Sequence, residues 1–192
     1  MRFLTAGESH GQALVVIIEG LPRGIGLTRE AILRDLTRRQ AGYGRGPRAS
    51  IEPEQLSIIA GIRAGRTTGA PVAVMLRHCR WETWRPLLDP EAEIPGTADL
   101  AYQPDLARVE AFPTRPRPGH ADLAAAQKYG LGELRDVIER ASARETAART
   151  GAGALARAFL GHLGVAVGSY VISIGDVAVE KEWPLAETLR LA

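Results

Sequence analysis

The strongest structural signal in the sequence is a long helical pattern over residues 143–163. Leu155, Phe159 and Leu163 recur one turn apart and form an apolar stripe. Small side chains elsewhere on this helix would allow close packing of a neighbouring layer: Ala147, Ala148, Gly151, Ala152 and Ala154. We therefore predict a buried helix at the centre of the fold, and any arrangement of the remaining elements must cover it.

The start of this helix has features of an anion site. Ser142 and Glu145 have the spacing of a capping box, in which each side chain accepts a hydrogen bond from a backbone amide. First-turn amides and the helix dipole attract anions, and Arg140 and Arg144 add full charges. The pattern predicts a site for a phosphate or a flavin ring edge, or else an ordinary capped helix whose arginines point to solvent.

The rest of the chain contains further segments with strand or helix signals. Thr28 is the predicted N-cap of a helix over residues 29–40, and the predicted strands come in consecutive pairs. We predict strands over residues 2–6, 12–19, 55–62, 71–78, 165–174 and 177–180, and helices over 29–40, 121–129 and 185–191. Segments 55–62 and 71–78 should form a hairpin. Residues 79–118 are rich in proline and are predicted to form a mobile loop or lid. Residues 1–192 are interpreted as a single domain.

Composition limits the class of function. The chain is 45% hydrophobic and 24% charged, as in soluble globular proteins, and its net charge of +2 does not indicate a nucleic-acid partner. The longest strongly apolar run, residues 13–18, is too short to cross a bilayer. Cys79 is the single cysteine, which fits a reducing cytoplasm. All basic residues except Lys128 and Lys181 are arginines, which suggests anionic ligands; a general bias of the genome towards arginine is the alternative.

Two loops carry histidines that could transfer protons near neutral pH. His10 lies in a glycine-bounded loop, where Glu8 could orient its imidazole through a hydrogen bond. His120 follows Arg115 and Arg117, and closely spaced cations favour a bound anion beside a protonated histidine. The alternative is that both histidines only bond to the backbone of their turns. The four histidines and the single cysteine lack the spacing of a zinc site.

Five segments together, in this order, resemble the signature segments of the chorismate synthase family. They are Gly7-Glu8-Ser9-His10-Gly11, Arg38-Arg39-Gln40 with Arg45, Arg117-Pro118-Gly119-His120-Ala121-Asp122, Lys128-Tyr129-Gly130 and Ser142-Ala143-Arg144-Glu145-Thr146. The resemblance extends over essentially the whole chain and corresponds to the N-terminal half of family members. It implies an α+β fold in which antiparallel sheets sandwich buried helices, and a homotetramer that buries a flavin.

The resemblance also implies a reaction. The family converts 5-enolpyruvylshikimate 3-phosphate to chorismate and phosphate by a 1,4-elimination that requires reduced FMN, a step of the shikimate pathway to aromatic amino acids. By this resemblance, His10 would protonate the departing phosphate and His120 would protonate or stabilise the reduced flavin. FMN would be bound by Arg140, Ala141 and Ser142, NADPH or a substrate anion by Arg39 and Arg45, and the substrate by Ser9, Arg117 and Arg144.

Some expectations concern partners and departures from the family pattern. NADPH or an external flavin reductase would supply the reduced flavin, whereas no metal, membrane or nucleic-acid partner is expected. Residues 77–81 stand where relatives often have an Asn and an Asp before the tryptophan, and Ala141 replaces a common serine. The alternative function is a truncated, non-catalytic relative that only binds FMN or phosphate.

Overall fold

The structure, a computed structural model, describes residues 1–41, 55–93 and 113–191. Its strands are β1 (Arg2–Ala6), β2 (Ala13–Glu19), β3 (Gln55–Ala60), β4 (Ile62–Arg63), β5 (Arg66–Thr67), β6 (Val72–Arg77), β7 (Ser173–Ile174) and β8 (Val177–Ala178). Its helices are α1 (Arg29–Gln40), α2 (Trp81–Leu88), α3 (Asp122–Tyr129), α4 (Arg135–Arg140), α5 (Glu145–His162) and α6 (Leu185–Leu191). None of the described helices is both long and apolar enough to span a membrane.

A four-stranded antiparallel sheet organises the described residues. Its strand order is β1-β2-β6-β3, with Leu14 opposite Leu76 and Val16 opposite Val74. Side chains alternate between the faces of a strand, so the apolar residues at every second position of β2 and β6 share one face. That face is buried: Leu14, Val16, Ile18, Val72, Val74 and Leu76 are each at most 1% exposed.

Helices α1 and α5 cover the buried face of the sheet. Ile32 and Leu36 of α1 and Leu155 of α5 join the strand residues in one apolar cluster. The small residues of α5 allow close approach, and Ala147 and Ala148 are fully buried against the sheet. The predicted buried helix and the α+β fold class are therefore confirmed. Among the described residues there is one such sheet, so they supply one layer of the predicted sandwich.

Most of the predicted elements are present, although several details differ. The Thr28 hydroxyl accepts a hydrogen bond from the Ala31 amide and caps α1 as predicted. Strands β3 and β6 pair as the predicted hairpin, with β4 and β5 inserted between them. The strand predicted over residues 165–174 is reduced to Ser173–Ile174, paired only with Val177–Ala178. Apolar side chains in this stretch, such as Val171 and Ile172, are exposed, and among the described residues β7 and β8 form a sheet of two strands.

Two short helices were not predicted from the sequence. Helix α2 lies in the segment that the sequence indicated as a mobile loop or lid, and it contains Pro86. Proline weakens the helical signal, yet Trp84 and Leu87 are buried and stabilise this turn through packing. Helix α4 has only six residues, too few for a detectable period. Residues 94–112 of the proline-rich segment lie outside the described residues, and the lid remains a prediction.

Candidate active site

The loop between β1 and β2 carries Ser9 and His10 and is held by helix α4. The Ser9 amide donates to the Glu139 carbonyl at 3.1 Å, and the His10 amide donates to Glu139 Oε2 at 2.8 Å. Carbonyls in the last turn of a helix have no partner within the helix, so the Ser9 amide satisfies a group that would otherwise be unpaired. Ser9 is 4% exposed. Helix α4 therefore fixes the backbone on both sides of the Ser9 Cα, directly before His10.

The imidazole of His10 is held between a carboxylate and an aromatic ring. Its Nδ1 lies 3.0 Å from both carboxylate oxygens of Glu139. The Trp84 ring of α2 stacks on it with a centroid distance of 3.9 Å and an interplanar angle of 23°. His78 meets the same imidazole edge-on at 5.6 Å. The predicted contact with Glu8 is wrong: Glu8 is exposed, and the carboxylate that orients His10 comes from a residue distant in sequence.

The Glu139 carboxylate is buried but is compensated by positive groups. Arg135, one turn earlier on α4, donates from Nη1 to Oε1 at 3.1 Å. Burial alone would raise the pKa of Glu139, but the hydrogen bonds from His10 and the nearby charges of His10 and Arg135 outweigh it and lower that pKa. The carboxylate is therefore ionised at neutral pH and acts only as a hydrogen-bond acceptor.

Arg144 joins the His10 loop to the start of α5. Its Nη1 donates to the Ser9 carbonyl and its Nη2 to the Arg77 carbonyl, each at 3.0 Å. The planar guanidinium suits two acceptors at fixed positions, which a lysine could not bridge in the same way. The structure thus brings Arg144, Ser9 and His10 together, as the sequence predicted for a common site.

The capping box predicted at Ser142 and Glu145 is not formed. Helix α5 begins two residues later than predicted, with Arg144 at the N-cap position and no side-chain cap. The Glu145 carboxylate instead accepts from Thr5 Oγ1 at 2.7 Å and from Arg140 Nη1 at 2.6 Å. Arg140 also donates to the Thr5 carbonyl at 3.0 Å. The Glu145 carboxylate therefore takes part in tertiary pairing with β1 and α4 instead of in a local cap.

The remaining predicted cofactor residues lie around the same turn. Arg39, at the end of α1, donates to Thr146 Oγ1 at 2.9 Å and to the Ala143 carbonyl at 3.3 Å. Ala141 is exposed, and its amide already donates to the Val137 carbonyl at 2.7 Å. Arg45 lies outside the described residues. Arg39 therefore contacts the short turn whose two ends are Arg140 and Arg144.

The second histidine loop forms a separate rigid turn. Asp122 accepts from the Arg117 amide at 2.9 Å and from two nitrogens of its guanidinium, Nε at 2.8 Å and Nη2 at 2.9 Å. This pairing lowers the pKa of Asp122 to about 2. His120 is exposed at the tip of the turn. Among the described contacts, none joins His120 to His10. The segment before this turn is tied to the start of α4, where the Leu134 amide donates to the Pro113 carbonyl at 2.8 Å.

A cavity of about 620 Å³ opens beside the His10 loop. It lies between Gln12, the end of β6 and helix α2, and its charged lining comes from residues of both signs: Arg77, Glu82, Arg85, Asp89 and Glu91. The volume suits a small molecule. A cavity lining of mixed charge does not by itself favour an anion. The arginines around the start of α5 therefore remain the stronger candidate for an anion site. No cluster of three or more potential metal ligands occurs in the described part of the chain.

Sequence reasoning missed both Glu139 and Trp84. It also gave little weight to His78. Glu139 lies in a short stretch of mixed charge, in which nothing distinguishes a buried carboxylate from an exposed one. Trp84 lies near the start of the proline-rich segment, which has no helical period. A tryptophan in such a segment is nevertheless a signal, because large aromatic side chains are usually buried against something.

Comparison with known proteins assigns the family. A family model described as chorismate synthase matches residues 1–190. The chain is 51% identical over 180 residues to a chorismate synthase of Symbiobacterium thermophilum, covering 94% of this chain and 44% of that protein. It is 48% identical over 197 residues to a chorismate synthase of Thermobifida fusca, covering 100% of this chain and 48% of that protein.

A solved structure agrees with these matches. A crystal structure of chorismate synthase superimposes with a TM-score of 0.66 and 37% sequence identity, over 93% of this chain and 40% of that one. The chain thus spans about half the length of the curated relatives it matches. Similarity of this extent, in sequence and in fold, confirms the resemblance of the signature segments: the chain belongs to the chorismate synthase family.

Proposed function

We propose that the protein acts as a chorismate synthase, a lyase that eliminates phosphate from 5-enolpyruvylshikimate 3-phosphate in the shikimate pathway. The observation that carries this proposal is the junction of the His10 loop with the start of α5, where Arg144 donates to the Ser9 carbonyl. Around this junction the fold gathers an oriented imidazole and arginines from α1, α4 and the α5 start. The substrate carries two carboxylates and a phosphate, so it needs such a cationic environment.

His10 is the proposed acid for the departing phosphate. Its ring is fixed by Glu139 and Trp84, and a fixed donor within hydrogen-bond reach of the leaving oxygen lowers the barrier of proton transfer. Ser9 and Arg144 would bind the substrate beside it. Positive side chains that are already in place stabilise the charge that develops on phosphate as the bond breaks.

The turn 140–142 is the proposed site of FMN. Reduced FMN is anionic, and the Arg39 guanidinium donates to the Ala143 carbonyl directly after this turn, in which Ala141 is exposed. Arg140 fits less directly, because its charge is already paired with Glu145. When bound, the flavin supplies electron density that no protein side chain offers. The residues present therefore suit an anionic ring system held mainly through backbone and guanidinium groups.

We also assign roles in the reaction to the second histidine loop and to helix α1. His120 would protonate or stabilise the reduced flavin, and Arg117 would shape its turn because Asp122 holds the guanidinium. Arg39, with Arg45 outside the described residues, would bind NADPH or a substrate anion. NADPH or an external flavin reductase would reduce the flavin. Residues 79–118 would act as a lid over the site.

Assembly and location complete the proposal. We expect a homotetramer in the cytoplasm, with no membrane or nucleic-acid partner. Large apolar side chains remain exposed on the chain after α5, including Val165, Val171, Ile174 and Val177. Exposed apolar surface of this extent is typical of contact areas. Light scattering on the purified protein would test the subunit number.

Phosphate release tests the proposed activity. The protein is mixed anaerobically with reduced FMN and 5-enolpyruvylshikimate 3-phosphate, and both phosphate and chorismate are measured. We expect His10→Ala and His120→Ala each to lower kcat by about 10²–10⁴-fold, the range for loss of a general acid or base. His162→Ala is the matched control, since His162 is exposed at the end of α5.

Three outcomes separate the candidates. Turnover that depends on both histidines supports the proposal. Binding of FMN without turnover supports the truncated, non-catalytic relative instead, which the half-length of the chain brings into consideration. Wild-type rates in both His10→Ala and His120→Ala would remove the roles assigned to these residues.

A further inference from the structure

We infer that Glu139 is a positioning residue that fixes His10 in the tautomer carrying its proton on Nδ1, so that proton exchange with the substrate proceeds through Nε2. The inference deepens the proposed function and rests on it only for the role of His10 as an acid. It assigns to a buried carboxylate on α4 the orienting task that the sequence suggested for Glu8.

The first step is the geometry of the carboxylate. Both oxygens of Glu139 lie 3.0 Å from His10 Nδ1, and Oε2 also accepts from the His10 amide at 2.8 Å. An ionised carboxylate has no proton to donate, so Nδ1 must carry the hydrogen that joins them. The hydrogen bond of one ring nitrogen determines the protonation of the other in a neutral imidazole. The neutral ring therefore has its lone pair on Nε2.

The second step is the restriction of ring rotation. A flip of the imidazole about its Cβ–Cγ bond would exchange Nδ1 with a carbon and break the contact with Glu139. The Trp84 ring, stacked at 3.9 Å, and the edge of His78 at 5.6 Å restrict this rotation from two sides. Arg135 lies 6.0 Å from the centre of the same Trp84 ring and also binds Glu139. One network of contacts thus holds both the plane of the His10 ring and the Glu139 carboxylate that binds its Nδ1.

The third step is the proton balance. In the charged form, His10 carries hydrogens on both nitrogens, and the negative Glu139 stabilises this cation. Transfer of the Nε2 proton to the leaving phosphate oxygen leaves the neutral Nδ1–H ring, which Glu139 also favours. No proton has to pass to Glu139 itself, so the carboxylate remains an acceptor throughout. Arg135 holds the carboxylate in place through its own hydrogen bond at 3.1 Å.

The test compares Glu139→Gln with a matched control. Asp136→Asn removes the same charge from the same helix, but Asp136 is exposed. Nitrogen-15 NMR of the imidazole, at a pH where His10 is neutral, distinguishes the protonated from the unprotonated ring nitrogen. His10→Ala assigns the resonances. This measurement requires folded protein but neither substrate nor turnover, so its result does not depend on the proposed activity.

We expect Nδ1 of His10 to be protonated in the wild type and in Asp136→Asn. In Glu139→Gln, the Nε2–H form favoured by free histidine should appear. In the active protein, Glu139→Gln should lower kcat by about 100-fold, the loss typical of a misplaced reacting group, with little change in KM. Glu139→Asp retains the charge and should recover part of kcat.

Two results would overturn the inference. One is an Nε2–H tautomer of His10 in the wild type, which needs no variant and remains decisive if Glu139→Gln does not fold. The other is an unchanged tautomer and an unchanged kcat in folded Glu139→Gln. Failure of the proposed function is a separate result: the wild type would release no phosphate while the tautomer followed Glu139 as expected.

Discussion

Replacing Gly151 with alanine should stabilise the protein. Gly151 lies in the middle of α5, is buried, and does not adopt a positive φ. A Cβ added there would meet Val16 Cγ2 of β2 at 3.8 Å, which is ordinary van der Waals contact rather than a clash. Alanine is favoured over glycine in a helix interior by about 1 kcal/mol. Burial of the added methyl group contributes at most about 0.8 kcal/mol more.

Urea unfolding, followed by circular dichroism, measures this gain. With a denaturant slope of about 1–3 kcal/mol per molar urea, a gain of 1 kcal/mol moves the midpoint up by about 0.3–1 M. Gly153→Ala is the matched control, because its Cβ would meet nothing within 4 Å and reports helix propensity alone. Gly151→Leu should be destabilised, since the side chain would overlap β2. A lower midpoint for Gly151→Ala than for the wild type would refute the packing described here.

Two further predictions concern groups that hold the site. The pKa of Asp122 is about 2 in the folded protein against 3.8 for an ordinary aspartate, so its pairing with Arg117 stabilises the fold above pH 4 and this stability is lost as the pH falls towards 2. Asp122→Asn should therefore unfold with less dependence on pH between 4 and 2, and an unchanged pH profile would contradict the pairing. Arg144→Lys should lower the free energy of unfolding by about 1 kcal/mol, because lysine cannot bridge the carbonyls of Ser9 and Arg77. Urea midpoints equal to that of the wild type would show that this bridge contributes nothing.

The elements that the sequence predicted well are those determined by local patterns. Alternating apolar residues gave β2 and β6, and the N-cap Thr28 gave the start of α1. These signals depend on neighbours within a few residues, so they can be recognised in the sequence without knowledge of the fold. Helix α2 was not readable in this way, because the burial of Trp84, rather than the propensity of its residues, supports it.

The local pattern failed at the α5 start for the same reason. The spacing of Ser142 and Glu145 is that of a cap, yet Glu145 pairs with Thr5 and Arg140. Those partners come from β1 and α4, and a sequence does not show which distant charges will lie within 3 Å. In the folded protein the Glu145 carboxylate pairs with the Arg140 guanidinium, so both partners of this hydrogen bond are charged, whereas in a cap only the carboxylate would be. The tertiary contact therefore replaced the local one.

The amino-acid sequence by itself determined the chemistry available to this protein: histidines in two glycine-bearing turns, arginines in place of lysines, and signature segments that identified the family. Only the tertiary structure decided how that chemistry is directed. It placed the carboxylate of Glu139 beside His10, 129 residues away in sequence, and fixed Arg144 against the Ser9 carbonyl. The physical reason is that hydrogen bonds and charge pairs act over a few ångströms of space. Which residues share that space is determined by the packing of α4 and α5 against the sheet.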